Sequence, residues 1–453
     1  MPICPTAVVL SFQERNNNKL FNSIHLFFKY RRLTNLFLRM IKIFTRYGFT
    51  KKQLHELLNR YINLMHSYNC IPTFPITACI LKRYPELAQE FNNKGVEFAV
   101  HGYVHSDYTR ISSKWLLEHF KKAIEIFNSL HIPFAGFRYP YLKWNEELLQ
   151  VIAGYDFCWD SSQAVIWDFF EKTELSVEKW KNYEKIIAQY KPYNARNYVI
   201  RPKFKHNFVE ILVVLPDDDM MIDRLGIVKK EIIEEIWVKI LEETYRRGEL
   251  FTLQLHPERI HFCGDALESV LKQARNLNPP IWIAPLGEIA KWWQEKQNFK
   301  IQFNKQQQNR YQIKVTCSKK ATILIKNSRA ITSHNNFIDG YQIINDKVFF
   351  IESSTKPVVG IAHSAPKTLQ NFLKEEGIPF EASDNKNEYG IYLGNYNNFT
   401  ERDEIKVIEA INRSGSPLVR FWRWPEKARS ALAITGDIDA ITSIDFIKRA
   451  FGR

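Results

Sequence analysis

The sequence predicts an α/β chain built on a barrel-like, mostly parallel sheet, with two smaller modules placed before its last strand. Three observations predict it. Between residues 40 and 298, amphipathic helical runs alternate with short apolar runs of strand length. Four of those apolar runs end in polar clusters, at the carboxyl ends where α/β sheets and barrels carry their function. From about residue 299 the helical period disappears and short β-rich runs replace it.

The elements follow in order. KKQLHELLNRYINLMHSY reads as an amphipathic helix, and IPTFPITACIL as a strand after a proline break. PELAQEFNNKG is a helix with a glycine stop, and VEFAV a short buried strand that ends at His101. KWLLEHFKKAIEIFNSLH is a helix, FAGFRYP a strand, NEELLQVIAG a helix and YDFCWDSS a strand with a polar end. EIIEEIWVKILEETYRRG is a long helix, followed by the strands LFTLQLHPE and IWIAP. KIQF, YQIKVTC, ATILIKN and KVFFIESS predict a β-rich module over 299–355. PVVGIAH, PKTLQNFLKEEG, YGIYLG and DEIKVIEAINRSG predict a small α/β module over 356–425. Residues 426–453 return to a strand, ALAITGDIDA, and a helix. RFWRWPEKARS (420–430) is expected to be a docking linker between modules.

At 453 residues the chain is too long for one ordinary core. Its 45% hydrophobic and 25% charged residues fit a soluble globular protein. The net charge of +14 is uneven: residues 1–60 hold eleven Lys/Arg against Glu14 and Glu56, which leaves +5 for the rest. Global charge is therefore a weak argument for nucleic acid, and no nucleic-acid motif supports one. The excess sits in a basic extension over 1–39 and in the apolar, Lys/Arg-studded run 20–46, for which peripheral membrane contact is the minority reading and an ordinary helix the blander one. A non-native extension ahead of Met40 is the other reading of that stretch. Six cysteines without a C-x-x-C pair speak against a disulfide framework or a thiolate zinc site. No spanning helix or signal peptide is evident, so a cytoplasmic location is expected.

The sharpest local signal is VEFAVHGYVHSDY. His101 and His105 stand four apart directly after an apolar strand, a spacing at which two imidazoles can converge on one metal ion. Surface histidines also occur at this spacing, and the pair alone leaves both readings open. GFRYPYLKWN, YDFCWDSS and FTLQLHPER follow, each at a predicted strand end. LPDDDMMIDRLG (215–226) offers Asp217, Asp218 and Asp219 either as sugar or cation contacts or as a capping, solvated loop, and the second reading is preferred. Trp144, Trp159 and Trp167 are read as core residues before sugar platforms.

Taken as a set, these motifs resemble the polysaccharide deacetylase (carbohydrate esterase 4) family over roughly residues 45–295. His101-Gly-Tyr-Val-His105 is similar to the family's H-[ST]-x-x-H, departing at the second position. Arg138-Tyr139-Pro140-Tyr141 matches R-x-P-[YF], Trp159-Asp160-Ser161-Ser162 resembles its Asp-bearing strand, and Leu253-Gln254-Leu255-His256 matches L-x-L-H. The resemblance implies a distorted (β/α) barrel that hydrolyses N- or O-acetyl groups of sugars with one divalent metal ion, zinc. One motif departs from its usual place. The family opens with a strand ending in two acids, whereas VVLSFQERNN offers Gln13 and Glu14. ALAITGDIDA near the C-terminus, with Asp437 and Asp439, resembles the D-x-D form closely. A circular permutation is the reading preferred here, against a second, partial domain starting near 430 or a surface acidic turn.

The resemblance then implies roles. Asp439, His101 and His105 bind the metal, and Asp437 is the general base with Arg138 as its partner. The backbone N–H of Tyr141 faces the oxyanion. His256 is the general acid, with Asp160 as the carboxylate that tunes it. The expected partner is a carbohydrate or a small amide. A catalytically inactive carbohydrate-binding relative, or a hydrolase of a non-sugar amide as in allantoinase-like relatives, are the alternatives. Only the distance from Asp437 and Asp439 to the two histidines separates a complete site from an inactive one.

Overall fold

The computed structural model describes residues 43–307, 309–327 and 337–449. The basic extension over 1–39, the candidate acids at Gln13 and Glu14, and most of the run weighed as a membrane contact lie outside the described residues. Among the described residues no helix is long and apolar enough to cross a membrane.

The sheet that positions the site contains β1 (Thr73–Ile76), β2 (Glu97–Val100), β3 (Phe134–Phe137), β4 (Trp159–Asp160), β5 (Ala164–Ile166), β6 (Tyr193–Asn194), β7 (Lys203–Lys205), β8 (Phe208–Glu210), β9 (Val213–Leu215), β10 (Leu250–Leu255) and β11 (Ile281–Ile283). Its remaining member is the late strand Ser430–Gly436. β1 pairs in parallel with β2, β2 with β3, β3 with β4 and β4 with β8. β5 pairs with β9, and β9 with β10. β4 and β5 are two halves of one bent stretch, and β8 and β9 of another, so the path curls back toward its start. The late strand closes the gap. It pairs with β10 along six residues, from Leu250 with Ala431 to Leu255 with Gly436. On its other side it meets β1 at Thr73 and Thr435, with a further bridge between Ile76 and Ile438. β11 takes the first part of that same edge, from Ser430 to Leu432. The wedge of β11 is what distorts the barrel between its last strand and β1.

The core follows from the sequence pattern. The four residues of β1 and the six of β10 are buried throughout, as parallel strands covered on both faces require. The helix Lys51–Ser67 turns Leu54, Leu58, Tyr61, Ile62 and Met65 inward at helical spacing. Gly136 in β3 is fixed by close approach, since a Cβ there would fall 1.8 Å from Cε2 of the buried Trp159.

Beyond the barrel lie β12 (Lys300–Gln307), β13 (Arg310–Thr316), β14 (Ala321–Lys326), β15 (Gln342–Ile344), β16 (Val348–Glu352), β17 (Lys356–Ile361), β18 (Phe380–Ala382), β19 (Tyr389–Leu393) and β20 (Leu418–Pro425), with Ser430–Gly436 as β21. β12, β13 and β16 form an antiparallel sheet. β17 lies between β18 and β19 in a parallel one. The stretch expected as a docking linker at 420–430 is corrected: β20 is a strand, antiparallel to β14, and all eight of its residues are buried. A backbone buried that deeply must satisfy its amide groups, and the ladder to β14 does so. The sheet of β15, β14 and β20 therefore joins segments on both sides of residue 355.

Candidate functional site

The segments that follow β2, β3, β9, β10 and β21 open onto one cleft of 790 Å³. His101, His256 and Asp437 arrive there because each directly follows a buried strand.

His101 is the first residue after β2 and is buried. Its Nδ1 donates to the carbonyl oxygen of Arg138 at 2.8 Å, which leaves Nε2 as the lone-pair nitrogen. That Nε2 lies 3.5 Å from Oδ1 of Asp439 and 3.9 Å from Oδ2 of Asp437. His105 Nε2 lies 3.2 Å from the same Asp439 oxygen. The turn between the two histidines depends on Gly102. Its φ is +77°, and a Cβ there would fall 2.5 Å from the Tyr108 hydroxyl. That hydroxyl accepts from the Tyr103 N–H at 2.9 Å. The departure from H-[ST]-x-x-H thus has a local cause.

Ligand atoms of His101, His105 and Asp439 all lie within 4.8 Å of one another. Two imidazoles and a carboxylate are a donor set for zinc or another divalent metal of borderline softness, and three protein ligands leave a position open. The hydrogen bond from His101 Nδ1 to a backbone carbonyl is the outer contact a ligating imidazole needs. The residues present therefore fit a divalent cation.

Arg138, the first residue after β3, is fully buried. It donates from Nη1 to Asp437 Oδ1 at 2.6 Å and to Thr435 Oγ1 at 2.8 Å. Its Nε and Nη2 donate to the carbonyl and hydroxyl oxygens of Ser161, each at 2.9 Å. All this fixes Asp437 beside Asp439, with one oxygen committed to Arg138. Tyr141 has φ +61°, a left-handed backbone that non-glycine residues seldom adopt, and its ring stands edge-on to His105 at 4.3 Å.

His256 follows β10. Its backbone N–H donates to Asp218 Oδ2 and its Nδ1 to Asp218 Oδ1, both at 2.8 Å. Burial lowers the imidazole's pKa, but the Asp218 carboxylate outweighs it and pushes the ring up to about 10. Burial raises Asp218 in turn, and His256 with Arg259 more than offsets this, holding it below the usual carboxylate range.

Two expectations are corrected here. Asp160 does not reach His256. It accepts from the hydroxyl and the backbone N–H of Ser162, at 2.7 and 3.1 Å, while the Ser162 hydroxyl accepts from the Tyr139 N–H at 2.8 Å. Asp160 thus braces the Arg138–Tyr141 loop, and burial pushes its carboxyl up to about 7. The reason is topological: β4 pairs with β3 and β8, whereas β10 pairs with β9 and β21. The loop after β9 supplies the carboxylate at His256, and that is Asp218. The second correction concerns LPDDD, read as a capping or solvated loop: the capping holds, since Asp217 accepts from the Met220 N–H at 2.8 Å, and the solvation does not. Asp217 and Asp218 are buried, and burial with the neighbouring acids pushes Asp217 up to about 7. An apolar run ending in acids, directly ahead of a helix that leads to β10, was the signal available in the sequence.

Comparison with known proteins gives one family match. Residues 50–157 match the model of the polysaccharide deacetylase family. No curated protein matches the chain. Solved structures with similarity include a polysaccharide deacetylase-type protein from Mycobacterium smegmatis, at 17% identity and a TM-score of 0.40, covering 52% of this chain and 76% of that one. An allantoinase, PuuE, is 17% identical with a TM-score of 0.42, over 52% and 72% of the two chains. A polysaccharide deacetylase-type protein from Pseudomonas aeruginosa PAO1 is 19% identical with a TM-score of 0.39, over 53% and 73%. At such scores none of the three bears on the chemistry. The stretch that presents His101, His105 and Arg138 lies within the residues that match the polysaccharide deacetylase model, 50–157.

Proposed function

We propose that the chain is a metal-dependent hydrolase that removes an acetyl group from an N- or O-acetylated sugar or saccharide precursor. The observation that carries this is the convergence of His101, His105 and Asp439 beside an Arg138-bound Asp437 at the cleft. A divalent cation held by the three ligands, zinc by its donor set, would supply Lewis acidity for the acyl carbonyl and for the attacking water.

The chain's own groups account for the proton movements. Asp437 has one oxygen tied to Arg138, so its other oxygen is the one aimed at the site, and it accepts a proton from the attacking water. His256 has Nδ1 fixed by Asp218, which turns Nε2 to the cleft as the donor to the leaving nitrogen or oxygen. The Tyr141 N–H, in a loop of left-handed backbone whose ring stands against His105, is our assignment for the donor to the oxyanion. We read Asp160 as a brace for that loop.

We further propose that the barrel is circularly permuted, built from residues 40–298 and 426–453. β21 takes the place between β10 and β1 that a first strand would occupy, and brings Asp437 and Asp439 with it. On this reading residues 299–355 and 356–425 are modules threaded in before the strand that completes the site.

Acetate release from N-acetylglucosamine oligomers by the metal-loaded full chain tests the proposal. Asp437→Asn is expected to lower kcat by about 10²–10⁴-fold while metal binding persists. A chain that binds metal and releases no acetate from N- or O-acetylated saccharides contradicts it.

A further inference from the structure

Two polar groups at the cleft are left unused by the mechanism above. Asp217 stands two residues after β9, and Tyr190 ends the helix Val177–Tyr190. Both side chains line the cleft and are buried, at 1% and 7% exposed. Asp217 Oδ1 accepts from the Met220 N–H at 2.8 Å. Its Oδ2 and the Tyr190 hydroxyl have no hydrogen-bond partner among the described residues. Neither atom is sealed off, in contrast to Oε1 of Gln254, which lines the same cleft. The two groups are near enough for the Asp217 carboxyl to help raise the Tyr190 phenol, after burial and Asp219. Their elements are tied together. Arg224 donates from Nε to Asp219 Oδ2 at 2.8 Å and from Nη1 to Gln189 Oε1 at 3.3 Å, and Asn182 Nδ2 donates to the Arg224 carbonyl at 3.3 Å.

Strand order sets where this pair stands relative to the reaction. His101 follows β2, Asp437 and Asp439 follow β21, His256 follows β10 and Asp217 follows β9. β21 pairs with β10, and β10 with β9. Asp217 is thus on the far side of His256 from the three metal ligands. A general acid meets the leaving group, and in a deacetylation the leaving group is the sugar. The sugar ring is therefore sent toward Asp217 and Tyr190. The chemistry of the pair fits it. Burial, with Asp218 and Asp219, pushes the Asp217 carboxyl up to about 7, so near neutral pH its accepting and donating forms are both populated. A sugar hydroxyl donates and accepts, and matches either form, whereas an amide N–H only donates.

We propose that Asp217 and Tyr190 form a subsite for adjacent hydroxyls of the leaving sugar, on the His256 side of the cleft. This rests on the hydrolase reading above and narrows its substrate class to saccharides. A few convergent polar groups of this kind fix a ligand's orientation in a cleft. Binding energy gathered there, away from the reacting carbonyl, holds the substrate in place for attack. A ring amide without hydroxyls leaves both atoms unanswered.

The test is calorimetric binding of the N-acetylglucosamine tetramer to the metal-free full chain, which needs neither turnover nor metal. Tyr190→Phe removes one hydroxyl at constant ring size and is expected to weaken binding by about 3–10-fold, the range of one neutral hydrogen bond. Asp217→Ala is expected to weaken it by about 10–100-fold, the range for a charged partner. Thermal midpoints report folding, and should Asp217→Ala fail to fold, Tyr190→Phe decides alone. Folded variants that bind the tetramer as tightly as wild type overturn the subsite. So does a wild-type chain that binds no tetramer, or one that binds allantoin in its place. A wild-type chain whose tetramer binding drops in the variants, yet which releases no acetate when metal-loaded, keeps the subsite and removes the hydrolase reading.

Discussion

Two of the clusters of buried charge among the described residues are built on different principles. One is at the carboxyl ends of the barrel strands. There Asp437, Asp439, His101, His105 and His256 line an open cleft. The other lies beside the residues that precede β10, where the modules meet the barrel. Glu376, fully buried, forms ion pairs with Arg201, Arg420 and Arg423 at 2.9–3.0 Å. Arg201 also pairs with Glu375 and Glu404, and Arg423 donates to the Gly248 carbonyl at 3.1 Å. Three guanidinium groups and Lys203 face three carboxylates, so the charges of this cluster are answered within the protein. Burial is shared by both clusters and therefore does not mark function. What sets the first apart is that imidazole and carboxylate acceptors converge at a cavity, where a cation of another kind fits.

The comparison can be broken at either cluster. The largest effect is expected at the cleft: His101→Ala or His105→Ala removes a metal ligand and abolishes turnover, measured as acetate release alongside bound metal. The same variants are expected to unfold at nearly the wild-type midpoint. At the junction the pattern reverses. Glu376→Gln leaves three buried guanidiniums short of a counter-charge and is expected to cost about 3–5 kcal/mol of stability with metal binding intact. Its pH dependence has a definite sign. Burial raises the Glu376 carboxyl, but the three arginines outweigh it and hold it at about 2, below the ordinary 4.5. The stabilisation is thus complete above pH 4.5 and drains as the pH falls through about 2. In Glu376→Gln this part of the acid limb is expected to flatten in denaturation curves.

A smaller effect follows from Asp218→Asn, which frees His256 to rotate and removes the charge that raises its pKa. Turnover is expected to fall by about a hundredfold. The wild-type imidazole titrates higher folded than unfolded, so its contribution to stability is full below its unfolded pKa and is lost as the pH rises through about 10. Without the carboxylate, the alkaline limb of the rate profile is expected to move to lower pH. The smallest effect belongs to the exposed pair Lys51–Glu86, whose side chains are 57% and 56% exposed. Lys51→Ala is expected to change stability by less than about 1 kcal/mol, which tests whether charge matters here only where it is buried.

The sequence carried much of this architecture because parallel strands write themselves plainly: a short apolar run, then a polar residue. His101, Arg138, His256 and Asp437 each stand in that place, and the fold brings His101, His256 and Asp437 to one cleft with Arg138 bonded to Asp437. Partner choice between strand ends was less legible. Asp160 ends one buried strand and Asp218 follows another, and only the strand order, with β9 beside β10, selects Asp218 for His256. β20 was missed for another reason. LVRFWRWP alternates arginine with aromatic residues, which resembles a surface strap. Its Arg420 and Arg423 are buried only because Glu376 lies across from them, far off in sequence.

The central claim is that a strand from near the end of the described chain completes a metal site with two histidines from its first half. Metal content of the dialysed full-length chain tests it most directly, measured for wild type and Asp439→Ala. The account predicts one divalent ion per wild-type chain and loss of that ion in Asp439→Ala with folding retained. An Asp439→Ala chain that keeps its metal as tightly as wild type, or a wild-type chain that binds none, would contradict it.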